Sequence, residues 1–596
     1  LKYAATSQEH RITENSNQAN AYRAMKNTTV RDNNSFLYKD PDNPYALPIT
    51  VLPQGGFYKR TDNRMLSYDF RTTANYNHTF NRIHIVNLFG GMEATNIERT
   101  RSWFNGVGMQ YNQSEVPFYI YQFFKRAQEA GHDYYTLGHS YSRSAAFFAN
   151  GTYSYQGKYN LNGTIRYEGS NMLGRSRSAR WLPTWNISGS WNMHEEKFFD
   201  IFRPTLSHFT LKASYSLTAD RGPASITNST TIFSAYNPYR PFSVDKESGI
   251  ALYQTGNNEL TYEKKHEWNF GIDAGFLNNR INVTLDVYRR NNYDLIGVVN
   301  TQGVNRSAMS YGNVASMKSH GEELSISTTN IKNKDFSWTT NFIYSHAVNE
   351  VTELMSRANT MDYISGSGFA MTGYPVRALF SIPFVGLNEN GYPMFINEKG
   401  NVTTTEINFQ ERDNNSYLKY EGPTDPVYTG SLGNIFTYKG FRLNIFLTYS
   451  FGNVVRLDPV FSYKYNDLSS MTKEFKNRWM MPGDEKITNV PVILSKREYN
   501  DNYELHYGYN AYNYSTERVA KGDFIRMKEI SFGYDFPSKW FKGMALNSLS
   551  VKLQGTDLFL IYADKKLNGQ DPEFFRAGGV SAPMPKQFTL TVKAGF

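Results

Sequence analysis

The ten residues QFTLTVKAGF, numbered 587–596, alternate between apolar and polar side chains without interruption. The apolar positions are Phe588, Leu590, Val592, Ala594 and Phe596. Successive side chains of a β-strand point to opposite faces of a sheet, so this period of two predicts a strand with one apolar face. The same period recurs along the chain, for example in 441–451, and its repetition decides the fold.

The alternation predicts about sixteen strands, and the clearest runs are about 10 to 13 residues long. Strands of globular proteins usually have ~5–6 residues, whereas a tilted strand needs ~9–11 to cross the hydrocarbon of a bilayer. The length of these runs therefore favours strands that span a membrane. The predicted strands are 1–9, 66–78, 82–95, 143–156, 159–169, 183–194, 206–217, 265–276, 281–292, 319–329, 335–346, 429–438, 441–452, 524–536, 549–560 and 587–596.

Charged residues within the clearest strands occupy only one of the two phases. An arginine or lysine on the lipid face of a barrel costs ~2–4 kcal/mol near the bilayer midplane, so a lipid-facing row should carry no charge. A half-buried soluble sheet also alternates, and alternation alone does not separate the two. The charges on the polar phase are Arg166, Lys212, Asp273, Asp286, Arg442, Asp535, Lys552 and Lys593.

Short and long links alternate between the predicted strands. Tight turns on one side of the membrane and extended loops on the other are typical of an antiparallel outer-membrane barrel. The sequence therefore predicts an all-β fold, a transmembrane antiparallel β-barrel. One link, 193–202, is expected to form a short amphipathic helical turn. The short links are 78–81, 156–158, 277–280, 330–334 and 439–440, and the long ones are 10–65, 97–140, 218–263, 347–428 and 453–523.

Composition excludes several other classes of protein. Although 16% of the 596 residues are aromatic, no window approaches the ~18 apolar residues of a membrane-spanning helix. The net charge is +9, but no run of lysine and arginine marks a nucleic-acid site, so we expect no nucleic-acid partner. The chain has no cysteine, which excludes disulfides and thiolate chemistry.

No constellation of residues supports catalysis. His194-Glu195-Glu196 begins like a zinc-metalloprotease helix, but such a helix needs a second histidine where this chain has Phe198. Other histidines are scattered over loops and strand starts. We therefore expect a protein that is not an enzyme and that has no cofactor and no metal.

Tyrosines in the longest loops are the candidate binding residues. Tyrosine offers a flat apolar face and a hydroxyl group at low entropic cost, which suits a sugar ring, a peptide or a partner protein. The alternative is that these loops pack on themselves through the same side chains. The candidate substrate- or partner-binding residues are Tyr463, Tyr465, Tyr503, Tyr507, Tyr509, Tyr512 and Tyr514.

Several motifs, in their order along the chain, resemble the SusC-like (RagA-like) TonB-dependent transporters of Bacteroidetes. The resemblance covers about 140–596 well and 1–139 poorly. The motifs include GKYNLNGTIRYEGSNMLG (157–174), RWMMPGD (478–484), KGDFIRMKEISFGYDFP (521–537), NGQDPEF (568–574) and the final MPKQFTLTVKAGF.

The resemblance implies a barrel of 22 strands closed around an N-terminal plug domain. This sequence shows about sixteen strands and no plug, so we expect residues 1–596 to be the C-terminal portion of such a barrel. The competing hypothesis is a complete sixteen-stranded porin, since barrels with even strand numbers are common.

By the same resemblance, the protein would import a bulky nutrient, an oligosaccharide or an oligopeptide, across the outer membrane of a Gram-negative bacterium. A SusD-like surface lipoprotein would cap the barrel, and TonB–ExbB–ExbD would drive it through the N-terminal part. The alternatives are a passive porin and a non-transporting assembly or adhesion component. The loops 218–263, 347–428 and 453–523 lack the apolar periodicity of a core of their own, and we expect them to form a polar and aromatic platform for the lipoprotein.

Overall fold

Sixteen long antiparallel strands form one large sheet in the computed structural model. The structure describes residues 1–17, 19, 37–38, 42–43, 45–47, 49–50, 54–129, 133–173, 177–222, 231–236, 249–254, 256–300, 309–356, 358–459, 473–543, 545–573 and 585–596. In chain order, strands β1 to β16 are Lys2–Ile12, Gly56–Phe80, His84–Gln110, Tyr135–Tyr155, Tyr159–Ser170, Trp181–Asn192, Leu206–Asp220, Glu263–Phe276, Ile281–Asn300, Met309–Lys332, Phe336–Leu354, Tyr428–Tyr438, Phe441–Phe451, Phe524–Asp535, Ser548–Ala563 and Gln587–Gly595.

Each long strand from β2 to β15 pairs with the strand before it and the strand after it in the chain. A two-residue strand, Val116–Pro117, also pairs with the end of β3. Within the described residues, β1 pairs only with β2, and β16 pairs only with β15. The prediction of an all-β antiparallel sheet of about sixteen strands is confirmed.

Several strands are much longer than the sequence pattern predicts. The strand expected at 82–95 is β3, which has 27 residues, and its partner β2 has 25. The prediction failed because apolar alternation is needed only where a strand faces lipid, whereas backbone hydrogen bonding continues beyond it. Past residue 97, β3 carries Glu98, Arg99 and Arg101, yet it stays in register with β2 and β4.

One face of the sheet carries a continuous apolar row. Residues from β11 to β16 lie side by side in the order Trp338, Phe436, Leu443, Phe532, Leu553 and Leu590. The neighbouring row on the opposite face contains Asn444, Ser531, Gln554 and Thr589. The apolar face is the one expected to contact lipid. The opposite face carries the charged residues of the strands, and we call it the inner face.

The short links form tight turns at the predicted places. Asn81 and Arg82, Gln156 and Gly157, and Lys439 and Gly440 have positive φ angles, as sharp reversals between antiparallel strands require. Segment 193–202 forms two 3₁₀ turns, Met193–Glu195 and Lys197–Ile201, and Phe199 is buried beneath them. These turns lie at one end of the sheet, and the long loops lie at the other.

Helices and small strands lie in the links. Within the described residues, the α-helices α1 to α5 are Tyr121–Glu129, Arg177–Arg180, Thr360–Ile364, Lys496–Asp501 and Leu505–Asn513. Further 3₁₀ turns are Tyr111–Gln113, Lys473–Asn477, Asp484–Lys486, Thr516–Arg518, Ser538–Phe541 and Lys565–Leu567. The small strands are Leu37–Tyr38, Ile49–Thr50, Ile232–Tyr236, Gly249–Gln254, Ala378–Ser381, Phe384–Leu387, Pro393–Ile396, Val402–Thr403, Lys419–Pro423, Val454–Arg456 and Val519–Lys521. Every helix in the described part of the chain is too short or too polar to cross a bilayer.

Candidate functional site

The described residues of the two longest links, 355–427 and 452–523, fold together into one unit, which we call the loop domain. Ala378–Ser381 pairs with Lys419–Pro423 within the first link. Between the two links, the backbone N–H of Ile382 donates to the carbonyl of Tyr514 at 3.1 Å. The loop domain therefore joins segments that are more than a hundred residues apart in sequence.

A hydrophobic core holds the loop domain together. Both links contribute buried side chains, and the rings of Phe384 and Tyr512 meet edge to face at 5.6 Å. The core consists of Ala358, Tyr363, Ile364, Ala378, Phe380, Ile382, Phe395, Ile407, Leu418, Phe475, Ala511 and Tyr512. The expectation that these loops lack a core of their own was wrong, because single apolar residues from many short segments build it and leave no periodic signal.

Hydrogen bonds fix the loop domain to the ends of the barrel strands. At the end of β11, the N–H of Gly373 donates to the carbonyl of Val351 at 2.8 Å, and the N–H of Val351 donates to Tyr374 at 2.9 Å. Beyond β13, Val454–Arg456 pairs with Val519–Lys521, which leads into β14. The loop domain is thus anchored at several strand ends.

A buried arginine lies at the centre of the loop domain. The guanidinium of Arg456 donates to the carbonyl oxygens of Ser515 at 2.8 Å, Phe380 at 2.6 Å and Ile364 at 3.2 Å. Burial lowers the pKa of Arg456 to about 9, so the group remains charged at neutral pH. Because these carbonyls belong to three segments, Arg456 ties both links to the strand that continues from β13.

The candidate tyrosines fall into three groups. Tyr463 and Tyr465 lie outside the described residues. Tyr509 and Tyr512 are each 1% exposed, and the half-buried Tyr514 packs against the core, so these three side chains support the loop domain. Tyr503 and Tyr507 are 58% and 42% exposed. The interpretation of loops packed on themselves therefore fits the second group, and Tyr503 and Tyr507 stay candidate binding residues.

The exposed tyrosines form an aromatic cluster with a histidine. The ring of His506 lies 4.2 Å from that of Tyr503 and 3.9 Å from that of Tyr507. Tyr499 meets Tyr503 edge to face at 5.9 Å. The cluster extends from α4 through the short link into α5 and presents aromatic faces to solvent.

A hydrogen bond holds α4 against the rest of the loop domain. The hydroxyl of Tyr392 donates to the carboxylate of Glu498, and burial together with this hydrogen bond raises the pKa of Tyr392 to about 12. The phenol therefore remains a donor throughout the physiological pH range, and it keeps the exposed cluster in place.

An exposed apolar turn, which the pattern of residues did not predict as a site, lies at 478–487. Met480 and Met481 are exposed, and Ile487 is 83% exposed. The Asp484 carboxylate shapes the turn by accepting from the N–H groups of Met480 at 2.9 Å and Met481 at 3.1 Å. The consecutive methionines of RWMMPGD, before a Pro-Gly turn, are the signal that was available in the sequence.

Trp479 anchors this turn against Gly391. Gly391 has φ of +76°, and a Cβ atom there would lie 2.5 Å from the indole ring. Only glycine permits both this backbone conformation and this close contact. The Trp479 indole N–H also donates to Glu485 at 3.2 Å within the turn, so the tryptophan braces the turn, and its contact with Gly391 links the turn to the body of the loop domain.

We expect Gly391→Ala to loosen the turn at 478–487 more than Gly400→Ala does. Gly400 has a matching φ of +78° but nothing within 4 Å of a Cβ atom, so both variants carry backbone strain of ~1–2 kcal/mol and only Gly391→Ala displaces Trp479. Trypsin should therefore cleave after Lys486 several-fold faster in Gly391→Ala. Equal cleavage rates would show that the Trp479 contact does not hold the turn.

Ion pairs line the inner face of the barrel. Arg166 pairs with Glu93 two strands away and, at 2.8 Å, with Glu168, and Lys212 pairs with Asp273 on the adjacent strand. These are residues of the charged phase and their neighbours, which compensate one another across strands. Among the residues that the structure describes, no three His, Asp or Glu side chains converge in a way that could hold a metal ion.

Comparisons with known proteins agree on the family of this barrel. Residues 3–458 match the family model for the TonB dependent receptor-like β-barrel. The chain is 25% identical over 559 residues to TonB-dependent receptor P39 of Formosa agariphila, a match that covers 87% of the chain and 51% of that receptor. It is 26% identical over 438 residues to TonB-dependent receptor SusC of Bacteroides thetaiotaomicron, with 70% of the chain and 40% of SusC covered.

The solved structure of the RagAB peptide transporter has the same fold. It superposes with a TM-score of 0.74 at 20% identity, over 93% of this chain and 58% of the transporter chain. The chain spans about half the length of the curated relatives it matches. The resemblance to SusC-like receptors is confirmed, and the chain belongs to the TonB-dependent receptor-like β-barrel family, a family of outer-membrane proteins of Gram-negative bacteria that are not enzymes.

Proposed function

We propose that this protein imports a bulky nutrient, an oligosaccharide or an oligopeptide, with energy from TonB–ExbB–ExbD and with a SusD-like lipoprotein as its extracellular partner. The observation that carries the proposal is the loop domain. It has its own core, it is anchored at several strand ends, and it exposes an aromatic and apolar surface. A passive pore needs no such domain.

Two clusters on the loop domain support a protein partner. The aromatic cluster (Tyr499, Tyr503, His506 and Tyr507) and the apolar turn 478–487 expose large side chains on a domain with its own packed core. Aromatic residues and methionine are enriched in protein interfaces, and exposed apolar clusters on soluble surfaces mark interaction sites. Part of the predicted platform, 223–230 and 237–248, lies outside the described residues.

The length of the relatives and the sheet edges support a longer barrel. The matches cover only 40–51% of the curated receptors. In a bilayer, the unpaired N–H and C=O groups of an edge strand have no water to bind, so β1 and β16 each need a neighbour. We propose that further strands of the same protein, 22 in all, pair with these edges and enclose a plug that TonB displaces.

We expect the combined substitution Met481→Ser, Ile487→Ser and Tyr503→Ser to weaken association with the lipoprotein at least tenfold. The three residues are exposed, so their loss should spare the fold. Truncation of an interface anchor of this kind costs ~2 kcal/mol or more of binding free energy. The amount of lipoprotein that copurifies with the barrel in mild detergent measures the effect.

Val402→Ser is the matched control, because Val402 is 58% exposed on the loop domain but lies in a separate small strand. It should copurify with the lipoprotein as the wild type does. If the wild-type barrel purifies alone, and if loss of every neighbouring lipoprotein leaves uptake unchanged, the passive porin becomes the better account.

A further inference from the structure

A groove crosses the inner face of the sheet beyond the membrane. It has a volume of about 460 Å³ and spans β1 to β4. Small side chains form much of its floor, including Ala4, Thr6, Gly138 and Ser140. Arg99 lies between Met65 and Ser140 in the pairing, and Arg101 lies between Asn63 and Gly138.

Arg99 and Arg101 lie side by side on one face of β3. Residues two apart on a strand point the same way, with their Cα atoms about 7 Å apart. Glu93 has the same parity on β3, and its ion pair with Arg166 places both arginines on the inner face. Trp103 lies on the same face, two residues beyond Arg101 and further from the membrane.

Neither arginine has a partner among the described residues, although other arginines of this wall do. On the inner face, Arg71 and Arg166 both pair with Glu93, and on the outer face of the same strands Arg60 pairs with Asp62 at 2.9 Å. Arg99 and Arg101 are exposed, and no ion pair or hydrogen bond of their side chains occurs within the described part of the chain. Two uncompensated positive charges at this distance repel each other, and a bound anion removes that repulsion.

The height of the groove places it on the extracellular side. β3 begins at His84 next to a tight turn, and Arg99 lies fifteen positions further along the strand. A tilted strand needs only ~9–11 residues to cross the hydrocarbon, so Arg99 and Arg101 lie beyond it. A solute that enters the barrel from outside would pass this wall.

We propose that Arg99 and Arg101 form a binding site for the carboxylates of an acidic solute on its way into the barrel. The guanidinium group binds carboxylates through two parallel hydrogen bonds, and two adjacent arginines match successive acidic units of a chain. Trp103 supplies an apolar face for the backbone of the solute. The proposal rests on the import function proposed above and names its substrate class.

The carboxylates could belong to an acidic oligosaccharide or to an acidic oligopeptide, and calorimetry on the full-length protein in detergent separates the two. The probes are hexagalacturonate, hexaglutamate and the neutral maltohexaose. We expect one acidic probe to bind, with an affinity that falls as salt rises, and maltohexaose not to compete with it. The better acidic probe identifies the source of the carboxylates.

The variant with Arg99→Gln and Arg101→Gln should lose at least tenfold in affinity for that probe. Arg60→Gln is the control, since Arg60 is at a similar height but on the outer face, and it should bind as the wild type does. Failure of both acidic probes to bind, or unchanged binding by the double variant, would overturn the proposal.

The assay also separates this proposal from the import function, because binding in detergent needs no TonB. Binding that depends on Arg99 and Arg101 supports the site, whatever cells lacking TonB do. Uptake of the probe by cells lacking TonB would contradict energised import and would leave the site unaffected. Conversely, TonB-dependent uptake of hexagalacturonate or hexaglutamate that is unchanged in the double variant would contradict the site alone.

Discussion

Leu443→Arg should prevent most of the protein from reaching a folded barrel, whereas Asn444→Arg should fold almost normally. Leu443 belongs to the apolar row between Phe436 and Phe532, where an arginine would face lipid. The cost is ~2–4 kcal/mol near the bilayer midplane, which is a large share of the stability of a membrane barrel.

The neighbouring position provides the matched control. The Asn444 side chain donates to the Glu529 carboxylate at 3.0 Å on the inner face, so an arginine there would meet an acidic partner. Heat-modifiable mobility on a gel, which distinguishes folded from unfolded barrels, measures both variants. Equal folded yields would mean that the two faces of the sheet have been assigned wrongly.

Tyr512→Ala should unfold the loop domain while leaving the barrel intact. Tyr512 is buried in the core against Phe384, and loss of a large buried aromatic side chain costs ~3–5 kcal/mol. An assembly of short segments that is held by one small core has little stability to spare. Protease added to intact cells should therefore cut within 355–427 and 452–523 much faster in the variant than in the wild type.

Tyr503→Ala is the control for Tyr512→Ala, because it removes an exposed tyrosine of the loop domain instead of a buried one. Tyr503 is mostly exposed, so its loss should leave protease resistance unchanged and should affect only association with a partner. If Tyr512→Ala resists protease as well as Tyr503→Ala does, the core of the loop domain does not stabilise it as the packing implies.

The barrel was predictable because lipid imposes a simple rule on each strand. Within the membrane, every second residue must be apolar, as in Phe441, Leu443 and Ile445, and each reversal needs a tight turn such as Lys439-Gly440. Beyond the membrane, the rule ends but hydrogen bonding does not. The extra length of β2, β3 and β10 therefore left no trace in the pattern of hydrophobicity.

The loop domain was not predictable from periodicity, because its core is assembled from distant pieces. Ile364, Phe395, Leu418 and Tyr512 meet in space although short irregular segments separate them in the sequence. Local information in α5 was nevertheless available. Leu505, Tyr509 and Tyr512 recur at helical spacing and are buried. Prediction of a helix at 505–513 would therefore have placed Tyr509 and Tyr512 on its buried face, away from the exposed Tyr503 and Tyr507.

The structure of the full-length protein, purified from the outer membrane and determined by electron cryomicroscopy, tests the central claim most directly. We predict a barrel of 22 strands in which β1 and β16 each pair with further strands of the same chain, a plug in the lumen, and a lipoprotein seated on the loop domain. A closed sixteen-stranded barrel in which β1 pairs with β16 around an open lumen, with no lipoprotein bound, would contradict it.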